Sequence, residues 1–182
     1  GQEVIAYNGS GIAPKAAEVD WYIKNGISSI EQQTPHSVTI PGAIDAWCQL
    51  LADHGTLSFK DVLLPAIEYA RNGAPVNHRQ SYDWSLCEEL LSKDPTSREQ
   101  YLFDGKPPKI GRLVKLPLLA NTLEYIAKNG KEGFYNGWVA EDIVAYLESL
   151  GGLHTLEDFA SYSGKYVEPI HTNYRGYDVY EC

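Results

Sequence analysis

Apolar positions along this 182-residue chain recur mostly at helical spacing. Val139, Ile143, Tyr146, Leu147 and Leu150 fall on one helical stripe. Gly151-Gly152 follows, where a residue without Cβ can end a helix in left-handed backbone. Gly130 and Gly133 bracket an expected turn ahead of it, and Phe134–Gly137 leads in. Thr155, with Asp158 three residues on, predicts a capping box over the first free N–H groups of a second short helix. Upstream, a helix is expected from Pro14 to Asn25, and another carrying Ile44, Trp47, Leu50 and Leu51 up to His54-Gly55. Ser58 and Asp61 read as a further capping pair before Val62, Leu63, Ala66, Ile67 and Ala70, with a kink or split expected at Pro65. His78–Ser92 reads as one helix, Thr96–Glu99 as another helical turn or two, and Pro117–Ile126 as a helix stopped at Gly130.

Strand patterns gather at the two ends. Glu3–Tyr7 is one. After Gly164, Val167 and Ile170 flank a Pro169 that suits only an edge strand, and Asn173-Tyr174-Arg175-Gly176 turns the chain into Tyr177–Tyr180. Between the ends, Pro75-Val76 reads as extended and Ile110–Val114 as a brief strand at most. No internal repeat or linker divides the chain, so residues 1–182 are expected to form a single domain. The expected class is α+β, predominantly helical, with short strands at both ends.

Composition narrows the functions open to such a chain. A net charge of −9 with scattered lysines and arginines disfavours nucleic acid and anionic membranes as partners. No apolar run reaches transmembrane length. The absence of methionine, the opening Gly1 and the stop at Cys182 are expected marks of a fragment of a longer protein. Cys48, Cys87 and Cys182 have no C-x-x-C spacing, which supports neither a zinc site nor a disulfide framework. Cys48 and Cys87 are expected as buried small hydrophobes, and the compartment is left open.

Candidate chemistry concentrates in the turn Asn8-Gly9-Ser10-Gly11 between strand and helix. Gly9-x-Gly11 resembles part of a dinucleotide-binding turn, but Pro14 stands where its third glycine belongs and no βαβ unit follows. His36, His54, His78, His154 and His171 lack metal-ligand spacing, so no metal is expected. Glu88-Glu89, Glu141-Asp142 and Glu157-Asp158 fit solvated helix faces and dipole complementation without a general acid/base pair.

Three patterns carry a family resemblance: FYxGxxAxxI, GGxxTxxDFAxY and EPIxxxYRGYxVY, all within Gly130–Cys182. Ser37-Val38, Pro41-Gly42, His54-Gly55, Leu64-Pro65-Ala66-Ile67, Gly73, Gly105-Lys106-Pro107 and Leu119–Leu123 continue them through the middle of the chain. Together they resemble the large subunit of gamma-glutamyltransferases. These are N-terminal-nucleophile hydrolases made as one chain that cuts itself in two. The resemblance implies the helical part of such a large subunit. It implies amide-bond cleavage with transfer of the gamma-glutamyl group to water or an amine, without cofactor or metal. The implied partners are the remaining large-subunit segments, the small subunit of the same precursor and a small-molecule amide substrate.

The nucleophile of that family is a threonine at the N-terminus of the small subunit, its own amine acting as base. Thr34, Thr39, Thr56, Thr96, Thr122, Thr155 and Thr172 are all internal, so no catalytic residue is expected in this chain. Asn8–Pro14 is similar to the family motif Asp-Gly-Arg-Glu-Thr-Ala-Pro, whose arginine grips the substrate α-carboxylate. Ser10 stands at the arginine's place and Ile12 at the threonine's, so Ser10, with Asn8 and Gly9, is the expected substrate-binding group. A neutral hydroxyl cannot replace a bidentate cation against a planar anion. An acylase of the same family acting on a non-glutamyl amide is therefore one alternative, and a non-catalytic helical binding domain is another.

Overall fold

The computed structural model describes residues 3–182. In chain order the elements are β1 (Ala6–Asn8), α1 (Val19–Lys24), α2 (Ala43–His54), α3 (Phe59–Asn72), β2 (Ala74–Pro75), α4 (His78–Leu86), α5 (Glu88–Lys93) and α6 (Pro95–Tyr101). They continue with β3 (Leu113–Val114), α7 (Pro117–Tyr135), α8 (Trp138–Ser149), α9 (Leu156–Ala160), β4 (Lys165–Val167), β5 (Ile170–Tyr174) and β6 (Tyr177–Glu181). Helix dominates, and the strands form antiparallel pairs β1–β4, β2–β3 and β5–β6. The chain is predominantly helical α+β, as its patterning predicts.

Two compact units are present. The first combines the chain up to Phe59 with Lys128–Cys182. Its core includes Ile40, Ile44, Phe134, Tyr135, Val139, Val144, Leu147, Phe159 and Tyr162, and three polar residues are buried among these elements: Asp45, His154 and Asp158. The His154 ring donates from Nε2 to the Val38 carbonyl at 2.9 Å, so this buried polar residue fastens the extended backbone just past the short 3-10 turn Pro35–Ser37. Helix α8 ends in a Schellman arrangement: Gly152 N–H reaches Leu147 O at 2.8 Å, and Gly151 N–H reaches Glu148 O at 2.9 Å. Gly151 has φ +86°, which favours a residue without Cβ. Thr155 and Asp158 form the expected capping box on α9. Strands β5 and β6 pair from Ile170↔Glu181 to Tyr174↔Tyr177, closing a two-residue turn at Arg175-Gly176.

The second unit, Lys60–Ala127, has its own core, with Leu63, Ile67, Ala70, Val76, Leu102, Val114, Ala120 and Ile126. Its two-residue strands β2 and β3 pair Ala74↔Val114 and Pro75↔Leu113. Flanking bonds extend this short ladder: Val76 N–H to Arg112 O at 3.0 Å and Leu116 N–H to Ala70 O at 2.7 Å.

Several elements differ from the sequence expectation. The helix expected from Pro14 begins only at Val19. Residues 14–17 instead form a turn, with Ala17 N–H on Pro14 O at 2.9 Å, and the Lys15 N–H is taken by the Asp158 carboxylate at 3.0 Å. Helix α3 runs through Pro65 as one element, without the split expected there. The helix expected over His78–Ser92 is two, because Cys87 at φ −96°, ψ 0° lies outside helical backbone. Cys87 is exposed, not buried. Gly130, at φ 63° and ψ −149°, does break α7, but the backbone resumes as helix through Gly133 to Tyr135, where a turn was expected. The β2–β3 pair shows that strands are not confined to the chain ends. On α8, Val139, Ala140, Val144 and Leu147 are buried, whereas Tyr146 and Leu150 are exposed.

Candidate functional site

The expected site residues lie where β1 leaves its sheet. Asn8 is the last residue of β1, opposite Lys165 of β4. Its side-chain oxygen accepts the Ser10 N–H at 3.0 Å, a local turn bond available to Asn two residues upstream. Gly9 passes so close to α2 that a Cβ there would lie 2.6 Å from the Ala46 Cβ. Gly42, just before α2, is tighter still: an added Cβ would lie 2.1 Å from both the Gly9 carbonyl oxygen and the Tyr162 hydroxyl. Backbone on backbone is possible only because both residues are glycine. Ser10 is exposed, and its carbonyl accepts the Tyr162 hydroxyl at 2.8 Å. Past the turn, Ile40 N–H donates to Ile12 O at 2.8 Å.

Beneath this turn sits Asp45, in the first turn of α2 and only 2% exposed. Its Oδ2 accepts the Tyr7 hydroxyl and the Gly164 N–H, each at 2.7 Å. Its Oδ1 accepts the Lys131 ammonium. A carboxylate at a helix N-terminus faces the positive end of the dipole, so the position suits its charge. The Asp45 backbone N–H, one of the donors a helix start leaves without an intrahelical partner, goes to the Tyr135 hydroxyl at 3.3 Å. That hydroxyl in turn donates to the Pro41 carbonyl at 2.6 Å. Burial alone would raise the Asp45 carboxyl, but Lys131, Tyr7 and Gly164 N–H together hold it below the usual carboxylate range. The Tyr7 hydroxyl is pushed well up, by burial first and then by its bond to the Asp45 carboxylate.

A second buried carboxylate fastens the far side of the turn. Asp158 closes the α9 capping box through Thr155 and also accepts the Lys15 backbone N–H at 3.0 Å. Lys15 Nζ meets Glu157 at 2.6 Å on the surface. Sheet β1–β4 is tied to both ends of α2, because cross-strand partners Tyr7 and Tyr166 reach Asp45 and Asp53 respectively.

Residues 1–182 match the gamma-glutamyltranspeptidase family over their whole length. The chain belongs to that family. It is 37% identical over 180 residues to the glutathione hydrolase-like YwrD proenzyme of Bacillus subtilis, an alignment covering 98% of this chain and 34% of that relative. This family chain thus spans about a third of the relative's length. Among solved structures it superposes on Helicobacter pylori gamma-glutamyltranspeptidase with TM-score 0.89 and 28% identity, covering 98% of this chain and 52% of that one. It superposes equally on a cephalosporin acylase from Bacillus halodurans, with TM-score 0.90 and 32% identity, covering 98% and 34%.

Within this gamma-glutamyltranspeptidase-family fold, Asn8, Gly9 and Ser10 come together as one turn. The sequence reading missed Asp45, Lys131, Tyr7 and Tyr162. Asp45 sits beside Ile44 in an apolar helical stretch, where a carboxylate reads as solvent-facing. Asp158 was legible as a cap, but its bond to Lys15 was not.

Proposed function

We propose that the complete protein containing this chain cleaves an amide bond and transfers the acyl group to water or an amine. The nucleophile is the N-terminal threonine of a small subunit released from the same precursor. Its hydroxyl oxygen attacks the amide carbonyl, its α-amine takes the proton, and the amine of the substrate leaves with a proton. Water or an acceptor amine then releases the acyl group from the threonine ester. No metal or cofactor enters this sequence of steps. The remainder of the large subunit and the small subunit complete the pocket. Membership of the family supports this reading, and so does the word proenzyme in the name of the Bacillus subtilis relative.

The contribution of residues 1–182 is an acyl-binding turn. Its geometry carries the reading: Asn8, Gly9 and Ser10 are locked onto the start of α2, with the Ser10 side chain exposed. Ser10 lies beside the acyl group at the place of the family's arginine. A hydrogen bond to a charged group contributes about 1.5–3 kcal/mol, a neutral one about 0.5–1.5 kcal/mol. Selection for an α-carboxylate is correspondingly weak, which favours a second reading, an acylase acting on a non-glutamyl amide. The likeness to a cephalosporin acylase supports the same direction.

The test is Ser10→Arg in the complete protein, assayed on a gamma-glutamyl amide and on the butyryl amide that lacks the amino and carboxyl groups. The expected result is a several-fold rise in kcat/KM for the glutamyl substrate relative to the butyryl one. An unchanged ratio would make Ser10 a turn residue remote from the acyl group.

A further inference from the structure

Ser10 is held by its backbone on both sides. Its N–H is engaged by the Asn8 side chain at 3.0 Å, and its carbonyl by the Tyr162 hydroxyl at 2.8 Å. Tyr162 comes from the segment just after α9, 152 residues later in the chain, and is 2% exposed. Its ring stacks on Tyr135, with centroids 5.6 Å apart and planes at 21°. Tyr135 is itself fixed by the Pro41 carbonyl and the Asp45 N–H. The hydroxyl lies against Gly42, where an added Cβ would approach it to 2.1 Å. A buried, stacked ring with no room to swing is a rigid arm, and its donor is aimed at one carbonyl. Burial, and then the Asp45 charge, push the Tyr162 hydroxyl up, so it remains a donor through the neutral range.

We infer that Tyr162 is a positioning residue for acyl recognition: by fixing the Ser10 peptide it sets the direction in which the Ser10 side chain meets the acyl group. This rests on the proposed placement of Ser10 beside the acyl pocket. The role is separable from a purely structural one because the hydroxyl bonds the main-chain carbonyl of Ser10, not the Ser10 side chain that meets the acyl group. Its loss leaves the chemistry of a bound substrate intact and alters how substrates are selected.

Tyr162→Phe in the complete protein keeps the ring and its stack on Tyr135 and deletes the donor. The measurements are KM, kcat and the glutamyl-to-butyryl ratio of kcat/KM, with Ser10→Ala run alongside. The expected result for Tyr162→Phe is a roughly two- to ten-fold rise in KM for the preferred acyl donor. The ratio should shift in the same direction as in Ser10→Ala, with kcat and cleavage into subunits unchanged. If Ser10→Ala alters the ratio and Tyr162→Phe leaves KM and ratio at wild-type values, the positioning role is wrong while the Ser10 site stands. If Ser10→Ala leaves the ratio unchanged, the site itself is wrong and the inference falls with it. Equal losses of kcat for all donors with Tyr162→Phe would also overturn the inference, because they would mark general damage. Should Tyr162→Phe fail to mature, Asn8→Ala releases the other side of the same residue. The same shift in ratio is then expected, and an unshifted ratio again overturns the inference.

Discussion

The Tyr7 hydroxyl donates to the buried Asp45 carboxylate at 2.7 Å, joining the strand before the candidate turn to the helix beneath it. Both residues lie inside elements whose sequence patterns describe only local structure. Their contact fixes where the turn between Tyr7 and Gly11 sits on α2. Lys131 and the Gly164 N–H complete the same carboxylate, so a single side chain collects four separate parts of the first unit.

Replacing Asp45 with Asn is expected to destabilise the protein by about 2–3 kcal/mol, since breaking a buried charge pair leaves a partner uncompensated. The Lys131 side chain is 35% exposed and can recover some hydration, which keeps the loss below that of a fully buried pair. Chemical denaturation of wild type and variant at neutral pH measures the difference, and a loss under about 0.5 kcal/mol would contradict the assignment of Asp45 as the hub.

Acid should expose the same group. The folded-state pKa of Asp45 is held below its ordinary value, so its contribution is fully present above the ordinary carboxylate pKa and disappears as pH falls through the depressed one. Asp158 is shifted in the same direction, with burial opposed by Lys15 N–H and Thr155. Wild-type stability is therefore expected to be insensitive to these two groups above about pH 5 and to decline below about pH 4. Denaturation midpoints across pH 2–7 (a range on the order of the carboxylate titration) check this. Asp45→Asn should show a shallower acid decline.

Gly42→Ala is expected to be severe. The new methyl would lie 2.1 Å from the Gly9 carbonyl oxygen, a backbone atom that cannot swing aside as a side chain would. Overpacking of this kind costs about 1–3 kcal/mol, and here the strain falls on the candidate turn itself. Thermal unfolding together with the acyl-donor KM should register both effects. A variant matching wild type in both would show that the turn is not packed against α2.

Thr155→Ala removes one half of the α9 capping box and one partner of Asp158. A loss of about 1 kcal/mol is expected, within the usual range for an N-cap. Because Asp158 also holds the Lys15 N–H, amide hydrogen exchange at Lys15 should quicken along with exchange at the start of α9. Faster exchange in α9 alone would mean that the two sites are independent.

Residues 1–182, prepared as an isolated polypeptide, are expected to turn over neither a gamma-glutamyl anilide nor other acyl amides. Every threonine in the chain is internal, and the proposed chemistry needs nucleophile and α-amine on one residue. Turnover by the purified polypeptide above an active-site-blocked blank would refute the proposed mechanism.

Much of the local structure was legible in the residues themselves. The Thr155–Asp158 box, the Gly151-Gly152 stop, the Arg175-Gly176 hairpin turn and the helix ending at His54 each depend on groups within about one helical turn or one hairpin loop. Interactions of that range are encoded in a few consecutive side chains. The turn at Asn8–Gly11 was legible for the same reason, since its Asn and glycines restrict the backbone directly.

Tertiary structure decided the rest. The apolar stripe of α2 carries Ile44, Trp47 and Leu50, yet Trp47 and Leu50 are exposed while Ile44 and Asp45 are buried. A carboxylate can occupy the interior only when donors surround it, and those donors come from Tyr7, Lys131 and Gly164, which lie 38, 86 and 119 residues away. The start of α1 was set in the same way, by Asp158 claiming a backbone N–H 143 residues earlier in the chain. The hold of Tyr162 on Ser10 likewise spans 152 residues. Periodicity records which residues prefer to leave water, whereas the partner that lets a polar group follow them is fixed only when the folded chain brings distant segments together.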